Sequence, residues 1–312
     1  MCPAPLRPLI LWRLIDGKPG HEKQTLGLAD ALGRLAECRR IDIAAPSRLA
    51  GLSDWLRGRF AAGAGLPPPD LILAAGHASH FAALAARRAQ GGRIVVLMRP
   101  SLPLSWFDCC LMPEHDTPPA RPNVIATRGV LNAVTPSSQH DPARGLFLIG
   151  GVSPHYGWDD RAVIRQIRAI LDAAPADQHW RLTTSRRTPP SFLASLAAET
   201  AGARLDILPH TATPPGWLEQ ALSGTGQAWV SEDSVSMVYE ALTAGCAVGL
   251  LQLPGARPSR VSRGVARLIG DRWLTPFDAW QRTRRLSPPP GRFDEAGRCA
   301  REILETWFQN AN

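Results

Sequence analysis

The chain has 312 residues, 45% hydrophobic and 20% charged, which excludes one small domain and fits two globular domains of roughly 150 residues, each with its own core. Its formal net charge is +8, carried almost wholly by arginine, since Lys18 and Lys23 are the only lysines. A GC-rich genome explains much of the arginine and alanine. What remains points to anionic partners such as nucleotide diphosphates or acidic lipids, while the lack of a basic run or an aromatic–glycine signature sets nucleic acid aside.

Cys2, Cys38, Cys109, Cys110, Cys246 and Cys299 form no C-x-x-C pair and read as reduced, partly buried thiols. His77 and His80 are three apart on an expected helix, too little for a metal ligand set, and no metal is expected. Residues 9–14 are too short an apolar stretch for a signal peptide, and Arg13 interrupts them. No segment reaches the ~18 apolar residues of a membrane span. A cytoplasmic location is therefore expected, with peripheral contact to the inner membrane through arginines and tryptophans such as those of Trp55-Leu-Arg-Gly-Arg-Phe60.

In chain order, the pattern alternates short apolar runs with helical segments, which specifies a parallel sheet covered by helices. A strand is expected over Leu9–Ile15, a Gly/Pro turn at 16–20 and a helix over 24–36. Strands follow at 70–75, 93–98 and 123–127, with a small-residue helix between Gly76 and about Arg88. The polar stretch 135–144, "TPSSQHDPAR", reads as a linker. The pattern then restarts: strand 146–149, turn 150–151, helix Asp160–Ala173, strand 180–184, helix 192–200, strand Leu205–Leu208, a helix or turn over Trp217–Ser223, strand 227–230, helix 234–244 and strand Ala247–Leu251. A proline bend at 287–291 precedes an amphipathic helix over 294–308.

In open parallel sheets ligands bind beyond the carboxyl ends of the strands, so six post-strand loops carry the candidate chemistry. "DGKPGHEKQT" (16–25) offers glycines, a helix start and the titratable Asp16, Lys18, His21, Glu22 and Lys23, yet fits neither a dinucleotide nor a Walker pattern. "AAGHASH" (74–80) places His77 and Ser79 behind Gly76, either for a ligand or as an ordinary helix cap. "MRPSLPLSWFD" (98–108) brings Arg99 and Ser101, and "IGGVSPHYGWD" (149–159) brings Gly150, Gly151, His155 and Tyr156. "TTSRRTP" (183–189) puts Arg186 and Arg187 at a strand end, where a guanidinium fork matches phosphate oxygens. In "SEDSVSMVYEALTAG" (231–245) the Ser234 and Ser236 hydroxyls and the helix N–H groups suit a diphosphate, and Glu240, deeper in the helix, suits ribose hydroxyls. Glu232 and Asp233 there read as complements to the helix dipole.

Five of these segments, in order between residues 15 and about 280, resemble the mitochondrial-fission family of plants and bacteria (the elongated-mitochondria protein). That family is similar in turn to B-fold glycosyltransferases (GT-B). The resemblance implies an α/β chain of two Rossmann-like domains facing across a cleft, with the C-terminal helix crossing back. It implies an N-terminal acceptor domain over 1–140, a C-terminal nucleotide-sugar domain over 145–285, and a helical segment over 286–312 on the N-terminal domain. It implies that Ser234, Ser236, Glu240 and Arg186 or Arg187 hold the nucleotide, with Gly151 and Lys18 as further contacts. The N-terminal domain would supply the base, with His21, Glu22, Asp16 and His77 as candidates.

The expected activity is a metal-independent glycosyltransferase reaction in cell-envelope glycoconjugate synthesis. A nucleotide-diphosphate sugar would be the donor substrate, no cofactor is needed, and a membrane glycolipid is the expected acceptor. A nucleotide-sugar epimerase and a non-catalytic scaffold of the same family are the alternatives.

Overall fold

The structure is a computed structural model that describes residues 7–255 and 259–308. The chain forms two units, one from residues up to Ala133 together with those from Asp294 onward, the other Val134–Phe293.

The first unit runs β1 (Leu9–Ile15), α1 (Pro19–Leu35), β2 (Cys38–Ala44), α2 (Arg48–Arg57), β3 (Leu71–Ala75), α3 (His80–Gln90), β4 (Arg93–Leu97), β5 (Cys109–Pro113) and β6 (Val124–Thr127). Its six strands are parallel in the order β2-β1-β3-β4-β5-β6. Side chains alternate across a strand, so Leu9, Leu11, Leu71 and Leu73 pack on one face against Leu28 and Leu32 of α1. Ile10, Trp12, Ile72 and Ala74 pack on the other with Ala82, Ala83 and Ala86 of α3, a helix whose small residues permit close approach to the sheet.

The second unit runs β7 (Asp141–Leu148), α4 (Asp160–Ala173), β8 (His179–Thr183), α5 (Pro190–Glu199), β9 (Leu205–Leu208), α6 (Trp217–Ser223), β10 (Thr225–Ser231), α7 (Val235–Ala244), β11 (Ala247–Leu251), α8 (Arg260–Gly270), β12 (Leu274–Pro276) and α9 (Phe277–Thr283). Its strands are also parallel, in the order β12-β11-β10-β7-β8-β9. Register is keyed by glycine–tryptophan pairs. Gly145 is the cross-strand partner of Trp180, and Gly249 that of Trp229. A Cβ on either glycine would enter the ring opposite it, so each indole lies flat over a neighbour that has no side chain.

The last helix, α10 (Glu295–Trp307), crosses back to the first unit. Its Cys299, Ala300 and Ile303 complete the core formed by Leu28 and Leu32 of α1. Among the described residues no helix is long and apolar enough to cross a membrane.

Several elements differ from the sequence expectation. Helix α1 starts at Pro19, five residues before the expected start, because proline at its first position pre-sets the backbone and loses no hydrogen bond. Pro19 and Gly20 of the expected turn, and His21 and Glu22 after it, are thus helical. Strand β2, CRRIDIA, went unrecognised because it is an edge strand with mostly exposed side chains and no apolar alternation. Strand β7 begins at Asp141, so the second half of the polar 135–144 stretch is sheet.

Replacing Gly249 with alanine pushes a methyl into the Trp229 indole and is expected to destabilise the second unit by about 1–3 kcal/mol, the usual cost of overpacking. Urea unfolding followed by tryptophan fluorescence reads this out; an unchanged midpoint would show that the ring does not depend on that space.

Candidate functional site

Each sheet has one place where the strand order reverses, between β1 and β3 in the first unit and between β7 and β10 in the second. Such switch points open a crevice beyond the strand ends, the general ligand position of open α/β sheets. Two side-chain clusters occupy these two places.

In the second unit the cluster is organised by Asp233, whose side chain has no exposed surface. It accepts hydrogen bonds from the Gly151 backbone N–H at 2.9 Å and the Ser231 hydroxyl at 2.8 Å, and pairs with the Arg187 guanidinium at 2.7 Å. Ser231 in turn accepts from the Gly150 N–H at 2.7 Å. Arg187 also donates to Ser234 Oγ at 3.1 Å and to the Val152 carbonyl at 3.2 Å. Ser185 and Thr188 donate to the Gly150 carbonyl. The loops after β7, β8 and β10 are thereby one bonded body. The close approach that Gly150 and Gly151 allow is to the chain itself, since a Cβ would strike the Asp233 carboxylate in one case and the Arg187 backbone in the other.

Helix α7 opens at this cluster. Its N-cap is Ser234, which makes no side-chain cap bond, and the first-turn N–H groups have no partner within the helix. Ser236, in that first turn, is exposed, and so is Arg186 one position before the paired Arg187. The N–H groups, the Ser234 and Ser236 hydroxyls and a guanidinium therefore gather where an anion is favoured by both hydrogen bonding and the helix dipole. Glu240 lies on the buried side of α7, at 3% exposure. Glu232 accepts from the Leu253 N–H at 3.0 Å. Burial, chiefly, and its Asp233 neighbour hold its carboxyl above the usual range.

In the first unit Asp16, at the end of β1, points its nearly buried carboxylate at His21, with Oδ2 2.7 Å from Nδ1. An ionised carboxylate can only accept, so Nδ1 carries a proton, and in the neutral form of the ring the lone pair is on Nε2. The imidazole lies directly over Gly76, which has φ of 78°; a Cβ there would overlap the ring. The glycine after β3 thus both turns the chain and makes room for the histidine of the other switch-point loop. The remaining candidates lie around this pair. Glu22 accepts from the Gly17 N–H at 3.1 Å and braces the loop, Lys18 is exposed at the N-cap of α1, and His77 is exposed.

His80, two residues past Ala78, is buried, with Nδ1 3.3 Å from the Ser101 hydroxyl. Burial first, then the charges of His77, Arg48 and His21, push it down to about 4, so it is neutral near pH 7. Among the described residues no three His, Cys, Asp or Glu side chains gather as a metal-binding group.

Sheet order, helical layers and switch-point loops thus define a chain of two Rossmann-like units. Residues 19–307 match the family described as mitochondrial fission ELM1, and the chain belongs to that family. No curated protein matches it in sequence. Among solved structures it is similar to a protein of Listeria monocytogenes assigned as a UDP-N-acetylglucosamine 2-epimerase, at 13% identity, over 96% of this chain and 97% of that one, with a TM-score of 0.59. It is similar to Acinetobacter baumannii MurG at 14% identity, over 96% and 100%, TM-score 0.55. It is also similar to S. aureus MnaA, solved with UDP, at 12% identity, over 97% and 98%, TM-score 0.51. These likenesses carry the fold alone, that of GT-B proteins.

Replacing Asp233 with alanine leaves the half-exposed Arg187 to solvent and two buried donors without their acceptor, and is expected to cost about 1–3 kcal/mol in denaturant unfolding, the cost of unsatisfied buried polar groups. A double-mutant cycle with Arg187→Ala should show strong non-additivity. Additive effects would mean that the three loops are held by something else.

Proposed function

We propose that the second unit binds the diphosphate of a nucleotide sugar at the start of α7 and that the first unit activates an acceptor hydroxyl through His21, making the chain a glycosyltransferase. The observation that carries the reading is the α7 helix start at the β7/β10 switch point, with its uncapped first turn, the exposed Ser236 in that turn and the Arg187 guanidinium bonded to Ser234 Oγ. MnaA with UDP and the Neisseria meningitidis UDP-GlcNAc 2-epimerase with UDP-GlcNAc support the ligand class.

In a direct displacement, the acceptor oxygen forms a bond to the anomeric carbon while the bond from that carbon to the diphosphate oxygen breaks. The acceptor proton passes to His21 Nε2. Asp16 fixes the ring and stabilises the imidazolium that results. The electron pair leaves on the β-phosphate, where the helix N-terminus and Arg187 stabilise the growing charge. Arg186 lies beside that patch as a further phosphate contact. Glu240 is the ribose acceptor in this reading. With 3% of its surface exposed, Glu240 has to turn out of the α7 packing to reach a sugar hydroxyl.

Two substitutions test the division of labour. Ser236→Asp places a carboxylate at an exposed first-turn position, which favours the helix but repels a diphosphate. It is expected to leave thermal unfolding unchanged while weakening nucleotide-sugar consumption roughly tenfold or more. His21→Asn should leave nucleotide binding intact and lower turnover about a hundredfold or more, the scale of a lost general base. Incubation with UDP-, GDP-, CMP- and ADP-type sugars, monitored for released nucleotide, gives both readings. Isomerised sugar without nucleotide release would assign an epimerase instead. No consumption and no binding of any nucleotide would leave a scaffold.

A further inference from the structure

Helix α2 is apolar on two sides. Its inner side is covered: Gly51 sits against the Phe81–Ala82 backbone of α3, and the Trp55 ring packs 5.9 Å from Phe81 and 5.4 Å from Trp106. The tryptophan that the sequence suggested as a membrane contact is thus turned inward, and Phe60 beyond it is buried. The outer side carries Leu49, Leu52 and Leu56, at the i, i+3, i+7 spacing of one helix stripe. Leu49 is 79% and Leu56 62% exposed, two of the most exposed large apolar side chains among the described residues.

Cations rim this stripe. Arg48, Arg57, Arg59 and Arg88 are all exposed. Arg48 leans over the Phe81 ring at 5.9 Å and Arg88 donates to the Trp55 carbonyl at 3.0 Å, so both are held at the edge of the helix. The one carboxylate of α2, Asp54, is mostly buried and already paired with Arg59 at 3.1 Å. An apolar stripe with arginines in excess of carboxylates along it is the pattern of a helix that lies in a lipid interface, leucines down and guanidinium groups at the phosphate level. A folded protein partner would more often meet such a stripe with an apolar groove, whereas the surplus positive charge selects an anionic surface.

We propose that the outer face of α2 docks this protein on an anionic lipid bilayer, with Leu49, Leu52 and Leu56 inserted and Arg48, Arg57, Arg59 and Arg88 on the lipid phosphates. The proposal stands apart from the nucleotide-sugar reading, because it uses none of the residues of the two switch-point loops. Strand β2 leads directly into α2, and the Ala45 N–H bonds to the Ile15 carbonyl at 2.8 Å, immediately before Asp16. The loop that leads into α2 therefore starts beside Asp16, within the same unit.

The test is vesicle sedimentation of the full chain. Phosphatidylcholine vesicles with about one-third phosphatidylglycerol should carry the protein down, pure phosphatidylcholine vesicles should not, and salt should weaken the binding. Leu49→Ser with Leu56→Ser should lower partitioning roughly tenfold or more with unchanged thermal unfolding, since both side chains are already in water. Arg57→Glu should lower it as well, through charge alone. Absence of binding by the wild-type chain, equal binding to neutral and anionic vesicles, or full binding by the double-serine variant would overturn the proposal. A concentration-dependent dimer that the double-serine variant abolishes, without vesicle binding, would also overturn it and assign the face to a second copy of the chain.

Discussion

A carboxylate with no surface in water holds the second unit's loops together. Asp233 cannot be solvated, so its charge must be met by protein donors, and it draws them from elements far apart in the chain: Gly151 after β7, Arg187 after β8 and Ser231 at the end of β10. Everything else at that end of the sheet follows. Gly150 and Gly151 have no side chains because the carboxylate and the Arg187 backbone occupy the space. Arg187 is anchored at one edge and so holds its fork toward Ser234. Ser234 meets Arg187 and makes no cap bond, so the first turn of α7 has no side-chain cap from it.

The first unit uses the same device at smaller scale. Asp16 fixes His21, and Gly76 gives the ring its seat. In each unit a carboxylate orients a basic side chain at the point where strand order reverses, and a glycine from the neighbouring strand's loop makes the fit possible. The roles proposed for them differ because the side chains they orient differ. A guanidinium beside a helix start suits a fixed anion, and an imidazole with its lone pair on Nε2 suits a moving proton.

Much of this was legible in the sequence, for physical reasons that also mark where legibility ends. Strands buried on both faces, such as LILAA and AVGLL, are continuous apolar runs and stood out. Glycines and hydroxyls after them marked the loops that the fold places at the switch points. Edge strand β2 hides its role because half-exposed pairing leaves charged residues in register. Asp233 reads in sequence as one more acid at a helix start. Beyond Ser231, its partners Gly151 and Arg187 are 82 and 46 residues away, and no local pattern reports a contact of that range. The choice among Asp16, His21, Glu22 and His77 could likewise not be made from spacing. The hydrogen bond between the first two, and the bracing role of Glu22, separate them. The apolar face of α2 was masked by Trp55, whose sequence prominence drew attention from the two leucines that are exposed.

The central claim is that the start of α7 holds a diphosphate. Calorimetric titration of the full chain with UDP and, separately, with uridine measures this directly. Saturable UDP binding is expected, with uridine weaker by about a hundredfold or more because the charge-assisted bonds at the helix start are missing, and with that difference reduced roughly tenfold or more by Ser236→Asp. Equal affinity for UDP and uridine, or a difference that the substitution leaves unchanged, would contradict the claim.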